Sequence, residues 1–593
     1  MKKHKKLAGF ASLVLAACML LTSCSGGAST SSAAGSKTGS AASASSQSGS
    51  SVKDNAGGTA SEGEKMIKAT NAAKLPASAS ARKDTLVVGT AQLSGKFNQL
   101  WAESADDFHV SVPCTGMALM DNDDEGNLID GTASMSVSDD GLTYTFKLKY
   151  DDKYSDGSPV KAEDYVNYFK VLCDKSYDGP SDTPANYGLV GAKAYHDGTA
   201  KDISGIKVVD DKTIQFKFEK PNSSAQYVVG SAYPISTALY GKLIKQGDLS
   251  AYKKLSMINY VSNGQYILTE YKAGQYAKMK SNPKFCLGAP KIKNIIVKVV
   301  AQGAEMQAVT TGEVDIDDEV TCNDDQITIG QNAKFVNMWI QPTLGYGWIG
   351  LNHKNTLFQD KKVRQALLYA IDRKTLVNSV YGNYAHVQNV NQTAQNWLYT
   401  TEGINTYDYD LDKAAQLLKE AGWTKDSSGK LMKDGKQFKF TFTASKGNAV
   451  TDVLIPMMID SYKKLGIDMQ AEYVDWPTLQ NKFTKLTYDM SFMAWGLTPD
   501  PNDSYIYSTG GAENYLGYSN PDVDKAYQTA LGSVGKENIK KAYQKVYQMI
   551  NDDLPNFIVY QRSDLVAFNT RIQDFHCSPY CPIYQQYYKY NLQ

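Results

Sequence analysis

Short apolar runs and strict alternations divide the chain from residue 85 onward into interleaved strands and helices. Thr85-Leu86-Val87-Val88-Gly89-Thr90 is a β-branched run closed by glycine, the pattern of a buried strand. Residues 142–148, LTYTFKL, alternate as a half-solvated strand does, and Tyr154-Ser155-Asp156-Gly157 follows as a turn. From Lys161 a helix opens with Glu163 and Asp164 in its first turn, where the helix dipole favours acids. Residues 206–216 read as strand, turn, strand.

Farther along, Val363, Ala366, Leu367, Ala370 and Ile371 form one apolar helix face, with Gly382 near its end. Asp410 caps a helix carrying Leu411, Ala414, Ala415 and Leu418, stopped at Gly422. Residues 437–443, QFKFTFT, then alternate with Phe438, Phe440 and Phe442 on one face. A helix over 450–465, a strand over 468–474, a helix over 476–486 and a strand over 489–495 complete the pattern. This alternation implies right-handed crossovers and a parallel sheet. The loop from Gly496 therefore leaves the C-terminal end of a parallel strand, where open α/β sheets place ligands.

Composition narrows the class. A chain of 593 residues, 42% hydrophobic, predicts two to four domains with a sizeable core. Equal counts of 62 basic and 62 acidic residues argue against a general nucleic-acid partner, which needs surplus cations to neutralise phosphates. The aromatic surplus is mostly tyrosine, 39 in all, a residue enriched where proteins bind other molecules.

Four lysines precede an apolar run over residues 7–21, which is shorter than the ~20 residues a membrane span needs. The run ends in Leu21-Thr22-Ser23-Cys24, which resembles the lipobox of bacterial lipoproteins. That resemblance implies a signal peptide over 1–23 and a lipidated, palmitate-bearing Cys24. The protein would then be anchored on the extracytoplasmic face of the cell membrane through lipid alone. Loss of the leader's four lysines leaves 58 basic against 62 acidic residues, a net charge of −4. Residues 24–83, rich in Ser, Ala and Gly, read as a flexible linker with a reach of roughly 40–45 Å. Six later cysteines (Cys114, Cys173, Cys286, Cys322, Cys577 and Cys581) are too sparse for a disulfide scaffold, and their pairing is open. Cys577 and Cys581 could ligate metal or close a small loop, but no second ligand pair accompanies them, so no metal or cofactor is expected.

Several stretches together resemble the peptide/nickel class of bacterial solute-binding proteins, the oligopeptide and dipeptide receptors of ABC importers. They are Asp140-Gly141-Leu142-Thr143-Tyr144-Thr145-Phe146 with Tyr154-Ser155-Asp156-Gly157, and Asn263-Gly264-Gln265-Tyr266. Val363-Arg364-Gln365-Ala366-Leu367, Ala370-Ile371-Asp372-Arg373 and Ala421-Gly422-Trp423 follow. Trp495-Gly496 with Pro499-Asp500-Pro501, and Gly517-Tyr518-Ser519-Asn520-Pro521, close the set. The resemblance implies an α/β, two-lobed type II periplasmic-binding-protein-like fold with an extra inserted domain (cluster C). The solute-binding body would span 84–593. Its first lobe would comprise about 84–116, 205–349 and 557–593, the inserted domain about 117–204, and the second lobe about 350–556. Hinge strands are expected near Ile349-Gly350-Leu351 and Phe557-Ile558-Val559-Tyr560.

In that class an acid three residues after the tryptophan of the W-G loop neutralises a peptide's amino end. Here Thr498 stands at that position and the loop looks one residue short. Asp500 is the candidate replacement, or else a turn acid capping Asn502. Trp495, Gly496, Thr498 and Asp500 are thus candidate ligand residues, with Asn98 and Trp101 after the first strand and Tyr346 before the first hinge strand. Five histidines beyond the leader are scattered, without a metalloprotease, nucleophile-elbow or nucleotide-binding motif, so no enzyme is expected. The expected function is capture of an oligopeptide or peptide-like solute by a monomer that delivers it to ABC permease subunits. A non-peptide solute receptor of the same fold, a peptide sensor without transport and a cleft hydrolase are the alternatives.

Overall fold

The computed structural model describes residues 64–593 except Glu103 and Asp182. The expected leader, Cys24 and the linker before Glu64 lie outside the described residues. Among the described residues no helix is long and apolar enough to cross a membrane.

One thirteen-stranded sheet runs through both lobes. In the first lobe Thr85–Thr90 pairs in parallel with Asn294–Val299 and Ile316–Val320, and the hairpin Tyr266–Lys272/Tyr276–Ser281 extends that edge. Alternation sorts its side chains: Leu86 and Val88 enter one buried cluster and Val87 another on the opposite face. In the second lobe Lys439–Ser445 lies between Asp468–Val474 and Met490–Gly496, parallel to both. Phe438, Phe440 and Phe442 are buried together beneath the helix Ala449–Leu465, as the alternation predicts.

The strand Asn556–Asn569 joins the lobes. Its first half pairs with Gly345–Leu351 in the second lobe and its second half with Val336–Pro342 in the first. The chain therefore passes between lobes at Thr343-Leu344 and around Gln561-Arg562. The residues expected as hinges, Ile349 to Leu351 and Phe557 to Tyr560, are instead paired inside the second-lobe sheet.

Three further expectations are corrected. The linker does not extend to residue 83: Lys65–Ile67 adds to the sheet beside Met338–Ile340, and Arg82 pairs with the buried Asp315 at 2.8 Å. A short apolar strand and an ion pair outweigh a coil-like composition there. The four-stranded sheet of the inserted region also passes through the expected boundary at residue 204, because Thr213–Lys217 pairs with Thr143–Leu148. The helix expected to reach toward Gly382 ends at Tyr369. A separate helix, Arg373–Tyr381, starts from an Asp372 cap, and Gly382 terminates that one.

Candidate ligand-binding cleft

The strand Met490–Gly496 delivers Trp495 to the edge of the second lobe that faces the first. Opposite it runs Gly345–Leu351, with Tyr346 across from Trp495 and Gly345 across from Gly496. A Cβ on Gly345 would lie 2.2 Å from the Trp495 carbonyl oxygen, so only glycine permits this approach. The Trp495 ring stacks on Trp348 at 5.5 Å and on Tyr515 at 6.2 Å, forming a three-ring ladder. Both indole N–H groups of the ladder are buried without an acceptor among the described residues.

Beyond Gly496 the loop turns toward the other lobe. Thr498 is exposed, and its hydroxyl donates to the Asp500 carbonyl at 3.2 Å. The Asp500 carboxylate accepts from the Asn502 N–H at 3.1 Å and from the Ser224 hydroxyl, outside the second lobe, at 3.0 Å. Burial pushes its carboxyl up to about 7, because the two donors do not repay the lost hydration. Beside it the Ser223 N–H donates to the Leu531 carbonyl at 2.7 Å, Lys536 donates to Asn127 at 2.8 Å, and the Trp397 indole meets the Tyr227 hydroxyl at 3.4 Å. These contacts form a seam between the lobes, separate from the strands that join them.

The first-lobe wall is acidic. At the strand ends the Thr90 hydroxyl lies 2.9 Å from Asp106 and 3.2 Å from Glu319, and the Ala91 N–H donates to Glu319 at 2.9 Å. Burial, followed by the contact with Asp106, pushes the Glu319 carboxyl far above the usual carboxylate range. His109 lies 3.3 Å from Asp318 and 3.0 Å from the Tyr587 hydroxyl.

Three expected ligand residues lie elsewhere. Tyr346 is buried in the second-lobe core with its hydroxyl 3.1 Å from that of Tyr507. Trp101 donates from its indole to Asp178 at 2.9 Å beneath Lys253. Asn98 and Trp101 border a cavity of about 330 Å³ lined by first-lobe residues, among them Phe97, Met257 and Tyr271, with none from the second lobe. They follow the first strand as expected, but the loop packs against its own lobe and Asp178 of the inserted region.

Residues 127–516 match the model of the bacterial extracellular solute-binding proteins, family 5, middle region. The chain belongs to this family. Members of family 5 bind solutes rather than transform them. The oligopeptide-binding protein AppA of Bacillus subtilis is 26% identical over 513 residues, covering 84% of this chain and 90% of AppA. The probable D,D-dipeptide-binding protein DdpA of Escherichia coli is 24% identical over 517 residues, covering 85% and 93%. Among solved structures, B. subtilis AppA in complex with a nonapeptide superposes with a TM-score of 0.68 at 25% identity, covering 86% of this chain and 99% of AppA. Lactococcal OppA, closed on an endogenous peptide, shares the fold with a TM-score of 0.70 at 21% identity, covering 86% and 100%.

Within this family 5 chain distant segments assemble several groups that no local pattern joins, among them partners for Cys581, whose candidate metal-ligating role the sequence left without a second ligand pair. His109, Asp318 and Glu319 bring ligating atoms within 4.8 Å of one another, as do Asp124, His576 and Cys581, distances a metal ion would tolerate. His576 and Asp124 already bond each other at 2.9 Å. At the crossing between lobes Arg562 pairs with Asp564 at 3.2 Å, and the buried Gln561 amide bridges the Thr343 carbonyl and Gln395.

Proposed function

We propose that this protein is an extracytoplasmic receptor that captures oligopeptides between its lobes and hands them to the permease of an ABC importer. The observation that carries the reading is the match, over nearly the whole described body, to an oligopeptide-binding protein solved with a nonapeptide. The architecture supports it: the lobes are joined by two strand crossings and otherwise meet along a seam of polar contacts that parts without unfolding either core. A peptide presents main-chain donors and acceptors to the strand ends, and the half-buried aromatics around Trp495 accept varied side chains.

Incubation of the purified protein with a mixed peptide pool tests this. Peptides retained on the protein and recovered uncleaved are expected. Cleaved products, or a pool passing through unbound, would contradict it. Anchoring belongs to the same proposal: lipid on Cys24 holds the body, a monomer, at the outer face of the membrane. Cys24→Ala is expected to release the protein into the soluble fraction, and retention on membranes at the wild-type level would count against the anchor.

A further inference from the structure

The turn from His576 to Cys581 carries two cysteines and a histidine that peptide capture does not use. Its own bonds close it: the Ser578 N–H donates to the Cys581 carbonyl at 3.2 Å, and the Cys581 N–H donates to the Ser578 carbonyl at 3.0 Å. The Tyr590 hydroxyl donates to the His576 carbonyl at 2.6 Å and fixes the start of the turn. Cys577 and Cys581 are both free thiols.

The tip of a hairpin, Met120–Asn122 paired with Leu128–Asp130, packs against this turn. The Asp123 carboxylate shapes the tip by accepting from the Glu125 and Asn127 N–H groups at 3.0 and 2.9 Å. At Gly126, where φ is +74°, a Cβ would lie 2.8 Å from the Tyr580 ring, so tip and turn touch. The approach sets Asp124 at 2.9 Å from His576 Nε2, although 452 residues separate them. The Cys581 thiol donates to the Asn122 carbonyl of the same hairpin at 3.2 Å. One carboxylate oxygen, one imidazole nitrogen and one sulfur thus stand within 4.8 Å of one another, the sulfur on a buried residue and the other two on exposed ones.

We propose that Asp124, His576 and Cys581 bind a zinc-type divalent cation that ties the hairpin tip to the C-terminal turn. Carboxylate, imidazole and thiolate are the side-chain donors zinc takes, and a water completes the tetrahedron. Donors at 2.0–2.3 Å from a tetrahedral ion stand roughly 3.2–3.6 Å apart. The Asp124–His576 contact therefore opens by a few tenths of an ångström, and the sulfur closes in by about 1 Å at most. Against the cost of burial, donors from Ser578 and His576 hold the Asp124 carboxyl below its usual range, so it is ready as a ligand. Burial pushes the Cys581 thiol up to about 12, so the cation must displace its proton to water as the metal–sulfur bond forms. A thiolate in the set disfavours calcium and magnesium, which take oxygen donors. The exposed aspartate and histidine give the ion its way in from solvent. The site lies outside the cleft, on the hairpin tip whose Asn127 accepts from Lys536 of the second lobe at 2.8 Å.

Titration of the full chain with cobalt(II), followed by zinc(II), tests this. Cobalt is expected to bring up a thiolate-to-metal charge-transfer absorption that saturates at one equivalent, and zinc to bleach it. X-ray absorption of the zinc-loaded protein is expected to show one sulfur among nitrogen and oxygen neighbours. Neither measurement needs a variant to fold. A metal held instead by His109, Asp318 and Glu319 has no sulfur neighbour, so the band separates the two clusters. Cys581→Ser is expected to abolish the band. Asp124→Asn and His576→Gln are each expected to weaken zinc by at least about tenfold, since even a lost outer-shell partner costs that much. Cobalt or zinc bound without sulfur, or no metal bound at all, overturns the inference. So does a band that survives Cys581→Ser, or a zinc affinity unchanged in both Asp124→Asn and His576→Gln.

Discussion

Asp500 accepts a hydrogen bond from the Ser224 hydroxyl at 3.0 Å although 276 residues separate them, and the two sit on facing sides of the seam. The same carboxylate caps the Asn502 N–H. Its geometry is that of a clasp. Ser224→Ala is expected to weaken closure by about 1 kcal/mol. X-ray scattering of the ligand-free protein would then report a larger radius of gyration. An unchanged radius would mean the bond contributes nothing to closure.

Asp503 sets a pH dependence. Burial pushes its carboxyl up to about 7, against the pull of the donors Tyr527 and Asn391. An unfolded aspartate titrates near 3.9, so between about pH 4 and 7 the folded state binds the extra proton. Its contribution to stability is therefore present at low pH and lost as pH rises through that window, on the order of 1–4 kcal/mol. Asp503→Asn is expected to flatten that part of the melting-temperature profile, and to raise the melting temperature at pH 8. With the Asn391 amide turned over, the new amide N–H donates to the Asn391 carbonyl oxygen, which among the described residues now lacks a donor. A profile with the wild-type slope would contradict this assignment.

Arg364 illustrates a different constraint. Its guanidinium is buried and donates to the carbonyls of Phe358, Gln359, Asp553 and Leu554 and to the Asp553 carboxylate. Arg364→Leu leaves those carbonyls without donors and takes the cation from Asp553, which keeps only the Tyr518 hydroxyl and the Asn520 amide, and is expected to cost about 3–5 kcal/mol in urea unfolding. A loss below about 1 kcal/mol would show that water replaces the arginine freely.

Gly345→Ala tests the close approach beside Trp495. A Cβ 2.2 Å from the Trp495 carbonyl forces the two strands apart. The expected result is a destabilisation of about 1–3 kcal/mol and a changed near-ultraviolet circular dichroism as the Trp348–Trp495 stack shifts. An unaltered spectrum would show that the strands adjust without moving the ladder.

Local periodicity carried much of the second-lobe sheet. Asp468–Val474 is a strand over the residues its alternation marks, and the Asp410 side chain caps Lys413 at 2.8 Å as its position suggests. The loop after Gly496 was likewise placed at a parallel strand's C-terminal end by strand order alone. Contacts between distant segments were not legible. No pattern near Asp500 indicates Ser224, and none near Trp101 indicates Asp178 of the inserted region, against which its loop packs. Tyr346 alternates toward the interior because its partner strand puts that face against Tyr507, which the run of apolar residues around it could not specify. The strand Lys65–Ile67 was hidden by its Ser- and Gly-rich surroundings, since a three-residue edge strand gains its stability from the sheet it joins.

Native mass spectrometry of the protein purified without denaturation addresses peptide capture most directly. The account predicts a population heavier than the bare chain, whose extra mass is released on unfolding and sequences as intact peptides. A released solute that is not a peptide, or a protein that stays bare after incubation with peptides, would contradict it.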